Sequence, residues 1–475
     1  MTNKRIVLLI SVVTIIFSLS FSSEGWTSDS NKTTKQQINN IEKKLNKLEK
    51  RVEKLEKDKT KNITSVRPKI RWKERTGIQS WRNNPIILGK YLFVPSSGKL
   101  WNEPDWLDGV HAFDIETGKK LWFIHSKNDF NSICYMEGLI VGGSDSGEVF
   151  AISHNTGKVK WKKQFDSKVY ATPCYAGGSA LIATGKGELF LLDLNTGNQR
   201  DKKILAGSVR GSMALKGNDI WVTTENGYIY DIFCFGSLSI SWKGRVYFPD
   251  QYGNYRDEDN YITGTSDFSY LNEGGFSIAC FYGAPVIFDD RVIMGFVRDT
   301  YYSYPPLVAI ESRKHKILWF GSDKKGIFKK ENETFGNLRN TPAIYKNLLI
   351  CGNPYSNKIY AVSARDGTLV WNTSIGQPMF QHWSSPVVNG EYVYIGRHDG
   401  YLHKLKAKNG KRVWSVFLGK KEEAGLSFLS DEVVPGEDFM CDWVPSRAFP
   451  IYSPIAASGK YVVAGTDEGY IYVIE

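Results

Sequence analysis

Apolar strands and polar turns alternate along most of this chain in a repeating pattern. The segment Gly109–Trp122, GVHAFDIETGKKLW, predicts an apolar strand, a tight turn and a second strand that ends in tryptophan. The turn glycine takes a positive φ, which other residues adopt only at a cost. Further copies of the hairpin, some without the glycine or the tryptophan, are Gly147–Trp161, Gly187–Arg200, Leu307–Trp319, Lys358–Trp371 and Tyr401–Trp414. Repeats of roughly 40–50 residues are typical of propeller blades.

Eight such units fit the chain, since eight short apolar openings are each followed by a second apolar strand. Several openings follow a proline, which suits the first residue of a strand because its missing N–H is not needed there. The last unit stops at Gly469–Glu475 without a fourth strand, and Lys69–Trp72 is an unassigned strand at the other end. We therefore predict an all-β, eight-bladed propeller of four-stranded antiparallel blades over residues 69–475, closed by pairing of its terminal strands.

Some stretches fit this pattern poorly. Blade four has a fair third strand at Gly227–Ile232 but no Thr-Gly turn, and Ser239–Trp242 is the only candidate for its fourth strand. Three long stretches fit no blade, and loops of this length in a compact fold carry function or are disordered. They are Gly98–Asp108, Asp250–Gly275 and Lys420–Pro450.

The first 68 residues precede the repeats and read as three segments. Residues 1–23, basic and then apolar, predict a cleaved export signal or an uncleaved membrane anchor. Residues 31–60 carry a heptad stripe that predicts a coiled-coil helix and a parallel homo-oligomer. The alternatives are a solvated charged linker helix and a helix that lies on the propeller. Residues 61–68 form a polar linker. The stripe consists of Ile38, Ile41, Leu45, Leu48, Val52 and Leu55.

The net charge of +11 does not indicate nucleic-acid binding once it is located. Residues 31–61 hold 11 Lys and Arg against 5 Asp and Glu, so the basic charge belongs mainly to the tail. The six cysteines are scattered without a CxxC or an adjacent pair, which argues against the usual zinc and haem motifs. We predict no cofactor and no metal site.

Aromatic residues in the loops are the remaining candidates for binding. Trp101, Trp106, Tyr301 and Tyr302 lie beside prolines, and exposed aromatics suit protein or sugar surfaces. The alternative is that they cover the ends of the ring. The acidic cluster at Asp257, Glu258 and Asp259 does not have EF-hand spacing and reads as a solvated loop.

The repeat, an aliphatic strand followed by D/S-x-x-T/D-G-K-x-x-W, resembles the tryptophan-docking repeat of pyrroloquinoline-quinone-like eight-bladed propellers. Within that superfamily the chain resembles the BamB family of outer-membrane assembly scaffolds, although it lacks a lipoprotein cysteine and adds a coiled coil. The resemblance implies that a tryptophan of the repeat docks between neighbouring blades, whereas the turn glycines of the repeat are expected from the positive φ of the turn. The tryptophans are Trp72, Trp122, Trp161, Trp319, Trp371 and Trp414, and the glycines are Gly118, Gly157, Gly197, Gly367 and Gly410.

The function that this resemblance implies is a non-catalytic, exported scaffold that binds protein partners in the periplasm or at the outer membrane of a bacterium. One alternative is a quinone-dependent dehydrogenase, which in related propellers uses adjacent cysteines that this chain lacks. Dye reduction by an alcohol or a sugar in the presence of the quinone and calcium would support it. A second alternative is a carbohydrate-binding surface module.

The coiled coil gives the first prediction. Sedimentation of the chain without its signal should show an oligomer that becomes a monomer when residues 31–60 are removed, because the heptad stripe buries apolar side chains only in an assembly. A monomer in both cases would contradict the self-association of this segment.

Overall fold

The computed structural model describes most of the repeat region. The described residues are 68–101, 103–245, 281–297, 306–321, 338–353, 358–375, 384–397, 399–419 and 451–475, with the backbone of four short strands at 247–248, 277–278, 431–433 and 443–445. The predicted export signal, coiled coil and linker up to residue 67 lie outside the described residues.

The strands in chain order fill one blade after another. The first half comprises β1 (Ile70–Arg75), β2 (Ile86–Leu88), β3 (Tyr91–Ser96), β4 (Gly109–Asp114), β5 (Lys120–His125), β6 (Phe130–Met136), β7 (Leu139–Ser144), β8 (Glu148–Ser153), β9 (Val159–Gln164), β10 (Cys174–Ala176), β11 (Ser179–Ala183), β12 (Glu188–Asp193), β13 (Gln199–Ile204), β14 (Ala214–Lys216), β15 (Asp219–Thr223), β16 (Tyr228–Cys234), β17 (Leu238–Arg245) and β18 (Tyr247–Phe248). The second half comprises β19 (Ser277–Ile278), β20 (Val286–Phe288), β21 (Arg291–Gly295), β22 (Leu307–Glu311), β23 (Ile317–Phe320), β24 (Ala343–Tyr345), β25 (Leu348–Gly352), β26 (Lys358–Ser363), β27 (Leu369–Ser374), β28 (Val387–Asn389), β29 (Tyr392–Gly396), β30 (Tyr401–Lys406), β31 (Arg412–Phe417), β32 (Asp431–Val433), β33 (Trp443–Pro445), β34 (Ala456–Ser458), β35 (Tyr461–Gly465) and β36 (Tyr470–Ile474).

These strands form eight four-stranded antiparallel sheets, which confirms the predicted eight-bladed propeller. Blade one is β2–β5, the following blades take the next strands in groups of four, and blade eight has the order β1-β36-β35-β34. The small hairpins β18–β19 and β32–β33 lie within the two longest connections. We call the four strands of each blade a to d, from the first short strand to the last.

The ring is closed by the N-terminal strand. β1 pairs with β36 in the register Lys73↔Tyr472, and the amides of Lys69 and Glu475 each donate to the carbonyl of the other at 2.9 Å. The predicted closing strand is thus present but extends to Arg75, beyond the predicted Trp72. Closure leaves each blade between two others.

The hydrophobic core consists of eight clusters, most of them shared by two neighbouring blades. Leu92 and Val94 of blade one pack with Val463 and Ile471 of blade eight, for example, and all four are nearly or completely buried. The other clusters join successive blades in the same way. Because these clusters are completed by side chains of the next blade, a single blade cannot bury its own apolar surface.

A β-bulge recurs in the pairing of strands c and d of every blade. In blade one Ala112 pairs with Trp122 whereas Phe113 pairs with Lys120, so that Leu121 is the extra residue. The equivalent irregularity is present in all eight blades. A bulge re-aims the side chains on either side of it. The residue that follows the bulge therefore occupies an equivalent position in each blade. We call this the docking position.

Five tryptophans at the docking position contact the c–d turn of the next blade in the same way. Each indole N–H donates to a turn carbonyl, and each ring lies against the turn glycine. The bonds are Trp72–Ile115 at 2.8 Å, Trp122–His154 at 3.1 Å, Trp161–Leu194 at 2.9 Å, Trp319–Ala364 at 3.3 Å and Trp371–Ala407 at 3.1 Å.

The turn glycines in these contacts have two reasons to be glycine. Gly118, for example, has a φ of +74°, and a β-carbon on it would lie 2.9 Å from the ring of Trp72. Any side chain would therefore strain the backbone and push the indole away. The same holds for Gly157, Gly197, Gly367 and Gly410, where the distance to the tryptophan ring would be 2.4 to 2.8 Å.

Candidate partner-binding surface

The two ends of the ring differ in the length of their connections. In each blade the a–b and c–d turns lie at one end, as the pairs Leu88↔Tyr91 and Tyr91↔Asp114 illustrate. These turns have two to five residues. The b–c and d–a connections lie at the opposite end and include all the long ones, among them 97–108. We call the two ends the turn end and the loop end.

Loop 97–108 connects β3 to β4 at the loop end of blade one and is held by two aspartates. Asp105 accepts hydrogen bonds from the amides of Lys99 and Leu107, and Asp108 accepts one from the amide of Asp105 at 2.8 Å. Gly98, with a φ of +63°, leaves room for both carboxylates, since a β-carbon there would meet oxygens of each within 3 Å. These bonds fix the conformation of the loop without a regular element.

The two tryptophans of this loop have different environments. Trp101 is half-buried and packs edge-on against Tyr452 of the connection to blade eight, with ring centroids 5.8 Å apart. Trp106 is 62% exposed, and Leu100 of the same loop is 58% exposed. The Nζ of Lys99 lies 5.2 Å from the centre of the Trp106 ring. Trp101 thus attaches the loop to the ring, whereas Trp106 and Leu100 present apolar surface to solvent.

Burial raises the pKa of Asp108 to about 7, and the negative charges of Asp105 and Asp145 add to the effect. The hydrogen bond from the amide of Asp105 opposes it without cancelling it. Asp108 is completely buried, and its Oδ1 accepts no hydrogen bond. His111 lies beneath the loop, where burial lowers its pKa to about 3. The loop is therefore held by a carboxyl group that is protonated at mildly acidic pH.

Near the axis, the loop end carries stacked cationic and aromatic side chains. The guanidinium groups of Arg82 and Arg210 lie 4.2 and 4.7 Å from the ring centre of Tyr170. Arg82 also pairs with Asp145 at 3.5 Å and Arg210 with Glu225 at 2.8 Å. These contacts join the connections of blades one to four. In this part of the loop end the cationic and aromatic side chains therefore pack against one another.

The docking contacts on either side of blade four use residues other than those of the repeat and were not predicted from the sequence. Asp201 holds the docking position of blade three, and its Oδ2 accepts the amide of Leu238 at 2.7 Å, which lowers its pKa. Trp242 holds the docking position of blade four and stacks on His315 at 4.5 Å. His315 replaces the turn glycine with a φ of +57° and bonds Asp231 at 2.9 Å. The position of the bulge identifies Asp201 and Trp242 as docking residues. The sequence motif of the repeat does not identify them.

The other predicted site residues are placed as follows. Trp414 is buried against Tyr394 at 5.9 Å, and no c–d turn follows it in blade eight because β36 and β1 come from opposite ends of the repeat region. Tyr301, Tyr302 and the heptad residues lie outside the described residues. Among the residues that the structure describes, no three His, Cys, Asp or Glu side chains are grouped as metal ligands. No helix in that part of the chain is long and apolar enough to span a membrane.

The comparisons with known proteins agree with this architecture. The model of the family described as outer membrane protein assembly factor BamB matches residues 107–232 and 281–442, which is more than half of the chain. The chain belongs to the BamB family. Its membership confirms the resemblance that the repeats and their tryptophans predicted.

Individual relatives are distant. BamB of Salmonella typhimurium is 25% identical over 109 residues, which cover 22% of this chain and 23% of that protein. BamB of Burkholderia pseudomallei is 27% identical over 112 residues, which cover 22% of this chain and 29% of that protein. The matched stretch thus spans less than a third of the length of either relative.

Solved structures show the same fold over most of the chain. BamB from Moraxella catarrhalis superposes with a TM-score of 0.57 and 15% identity, covering 86% of this chain and 100% of that one. The computationally designed protein Ika8 superposes with a TM-score of 0.55 and 10% identity, covering 84% and 99%. At these identities the likeness shows the fold alone.

The protonation of Asp108 gives a prediction about stability. The pKa of Asp108 is raised in the folded state. The stabilisation that its protonated carboxyl group gives to the folded state is therefore complete below pH 4 and is lost as the pH rises through about 7. We expect the stability of the wild type relative to Asp108→Asn, which is neutral throughout, to fall by roughly 3 kcal/mol between pH 4 and 7. Chemical denaturation at several pH values measures this, with the exposed Asp166→Asn as control. Parallel curves for the wild type and Asp108→Asn would contradict the assignment.

Proposed function

We propose that this chain is a non-catalytic scaffold of the bacterial envelope that binds protein partners in outer-membrane protein assembly through its loop end. The observation that carries the proposal is the exposed pair of Trp106 and Leu100 on a loop fixed by Asp105 and Asp108. Membership of the BamB family supports the cellular role. From the sequence we also propose an export signal or an uncleaved anchor at 1–23 and a coiled coil at 31–60. The uncleaved anchor or the coiled coil would keep the propeller at a membrane or in an oligomer.

The chemistry of loop 97–108 suits a protein partner. A tryptophan adds large contact area with little side-chain entropy to lose, and such residues dominate binding energy at the centres of interfaces. The loop conformation is already fixed by backbone hydrogen bonds to Asp105 and Asp108, so binding would not have to order it. Lys99 over the Trp106 ring adds a cation at the edge of the apolar surface.

The loop end extends beyond this pair, because every blade has strand ends there. Its long connections from successive blades lie at the same end of the ring as loop 97–108. The blades beneath are fixed to one another by the inter-blade cores, so these connections start from a rigid base. A platform of this kind suits a scaffold, which positions partners and needs no reactive group.

The test replaces Trp106 in the organism that encodes the chain. A photo-crosslinking residue at Leu100 captures the partner, and mass spectrometry identifies it. We expect Trp106→Ala to lower the crosslinking yield at least about tenfold, since loss of an interface hot spot costs about 2 kcal/mol or more. We also expect the outer membrane to become permeable to large antibiotics.

The matched control is Leu121→Ala, which removes an exposed apolar side chain from the outer strand of the same blade. It should leave both the crosslinking yield and the permeability unchanged. Wild-type crosslinking and an intact outer membrane in Trp106→Ala would contradict the proposal. If Trp106→Ala loses binding to a glycan array and keeps its protein crosslinking, the carbohydrate-binding alternative is favoured.

A further inference from the structure

The turn end of the ring carries an excess of exposed positive charge. Its fifteen a–b and c–d turns contain eleven lysines and arginines against six aspartates and glutamates, and all eleven cationic side chains are exposed. Loop 97–108 at the opposite end has one lysine against one glutamate and two aspartates. The short turns therefore carry a net positive charge of their own, although the net charge of the repeats is modest.

More than half of these cations lie on three consecutive c–d turns, those of blades five, six and seven. The turns are adjacent in space because the tryptophans of blades five and six dock on Gly367 and Gly410 of the next turns. Asp366 is the one acidic residue within the three turns, and its carboxylate accepts hydrogen bonds from Thr368. Glu311, directly before the first of these turns, pairs with Lys314 at 3.5 Å. We call the six cations the basic rim: Arg313, Lys314, Lys316, Arg365, Lys408 and Lys411.

The basic rim has an apolar neighbour on one side. The c–d turn of blade four, residues 235–237, contains no charged residue. Phe235 in this turn is 77% exposed, and Phe233 just before it is 42% exposed. In the corresponding turns of blades one and three, aspartates are bonded to turn amides instead. We call Phe233 and Phe235 the apolar tip.

The chain joins the ring on the other side of the basic rim. Residue Ile70 pairs with Ile474 at the turn end of blade eight, and Lys69 exchanges hydrogen bonds with Glu475. Blade eight follows blade seven, so β1, the first strand of the ring, begins next to the rim. Exposed Lys460 in the a–b turn of blade eight and Arg71 lie here and pair with Glu475.

We infer that the basic rim and the apolar tip together bind the surface of an anionic lipid bilayer. Lysines on turns keep long, mobile side chains and so suit a surface of diffuse negative charge. An exposed aromatic residue beside them suits the interface between headgroups and acyl chains. The inference goes beyond the proposed function, which concerns the opposite end.

The test measures binding to vesicles by co-sedimentation at low salt. The protein is the chain from residue 24 onward, and the vesicles contain phosphatidylglycerol and phosphatidylcholine in equal parts, or phosphatidylcholine alone. Each cation near an anionic surface contributes about 1 kcal/mol, so Lys316→Glu with Lys408→Glu should weaken binding to the anionic vesicles at least about 30-fold. Phe235→Ser should weaken it by a smaller factor.

The matched control changes the net charge equally at the other end of the ring. Arg75→Glu with Lys186→Glu lies at the loop end, where Arg75 pairs with Tyr470 and Lys186 lies in a b–c turn. Because all variants keep the basic segment 31–61, its contribution is the same in each. The control should bind anionic vesicles nearly as the wild type does, and none should bind phosphatidylcholine alone.

Two outcomes would overturn the inference. The first is equal loss of binding in the rim and control variants, which would show a net-charge effect with no preferred face. The second is a wild type that does not sediment with anionic vesicles, in which case an acidic protein is the better occupant of the rim. Thermal melting of each variant verifies that the exposed substitutions leave the fold intact.

Discussion

The contact between a docking tryptophan and the next c–d turn is the interaction on which this propeller depends. The indole N–H satisfies a turn carbonyl, and the ring covers a glycine that has no side chain to place. Each contact also closes the apolar cluster between two blades, as Trp371 does with Ile350 of its own blade and Ile395 of the next. Because these cores lie between blades, the geometry of this joint sets the angle at which one blade follows another.

In a ring of this kind the two ends can differ in the length of their connections and in their exposed residues. The c–d turns at one end are restricted in length, because five of them must present a carbonyl and a glycine to the tryptophan of the preceding blade. The connections at the other end are free of that requirement and vary in length. The exposed Trp106 lies at the loop end, whereas the basic rim and the apolar tip lie at the turn end. In our proposals the loop end binds protein partners, and the turn end lies against a bilayer.

The sequence predicted the blades well because their strands and turns repeat in register. The closing strand could be inferred from a tryptophan at the N-terminus and a missing strand at the C-terminus. Blade four could be read only in part, since its c–d turn is shortened to residues 235–237 and lacks the Thr-Gly pair. Its two docking contacts also depart from the motif, because Asp201 of blade three replaces a tryptophan and His315 of blade five replaces a turn glycine. Both keep the contact by other chemistry, a carboxylate to an amide and an imidazole stacked on Trp242.

The candidate site was harder to predict, because a loop has no periodicity from which burial can be read. Trp101 and Trp106 are equivalent in the sequence, but only the first meets Tyr452, which is distant along the chain. The charge difference between the ends was also hidden, since it arises from residues that only the strand order brings together.

The free energy of unfolding of Trp371→Ala tests the central role of the docking contact most directly. Trp371 is buried between blades six and seven, whereas the adjacent Val370 is 46% exposed on the outer strand. We predict that Trp371→Ala loses about 3–5 kcal/mol of stability and that Val370→Ala loses much less. Near-wild-type stability of Trp371→Ala would contradict the dependence of the ring on its docked tryptophans.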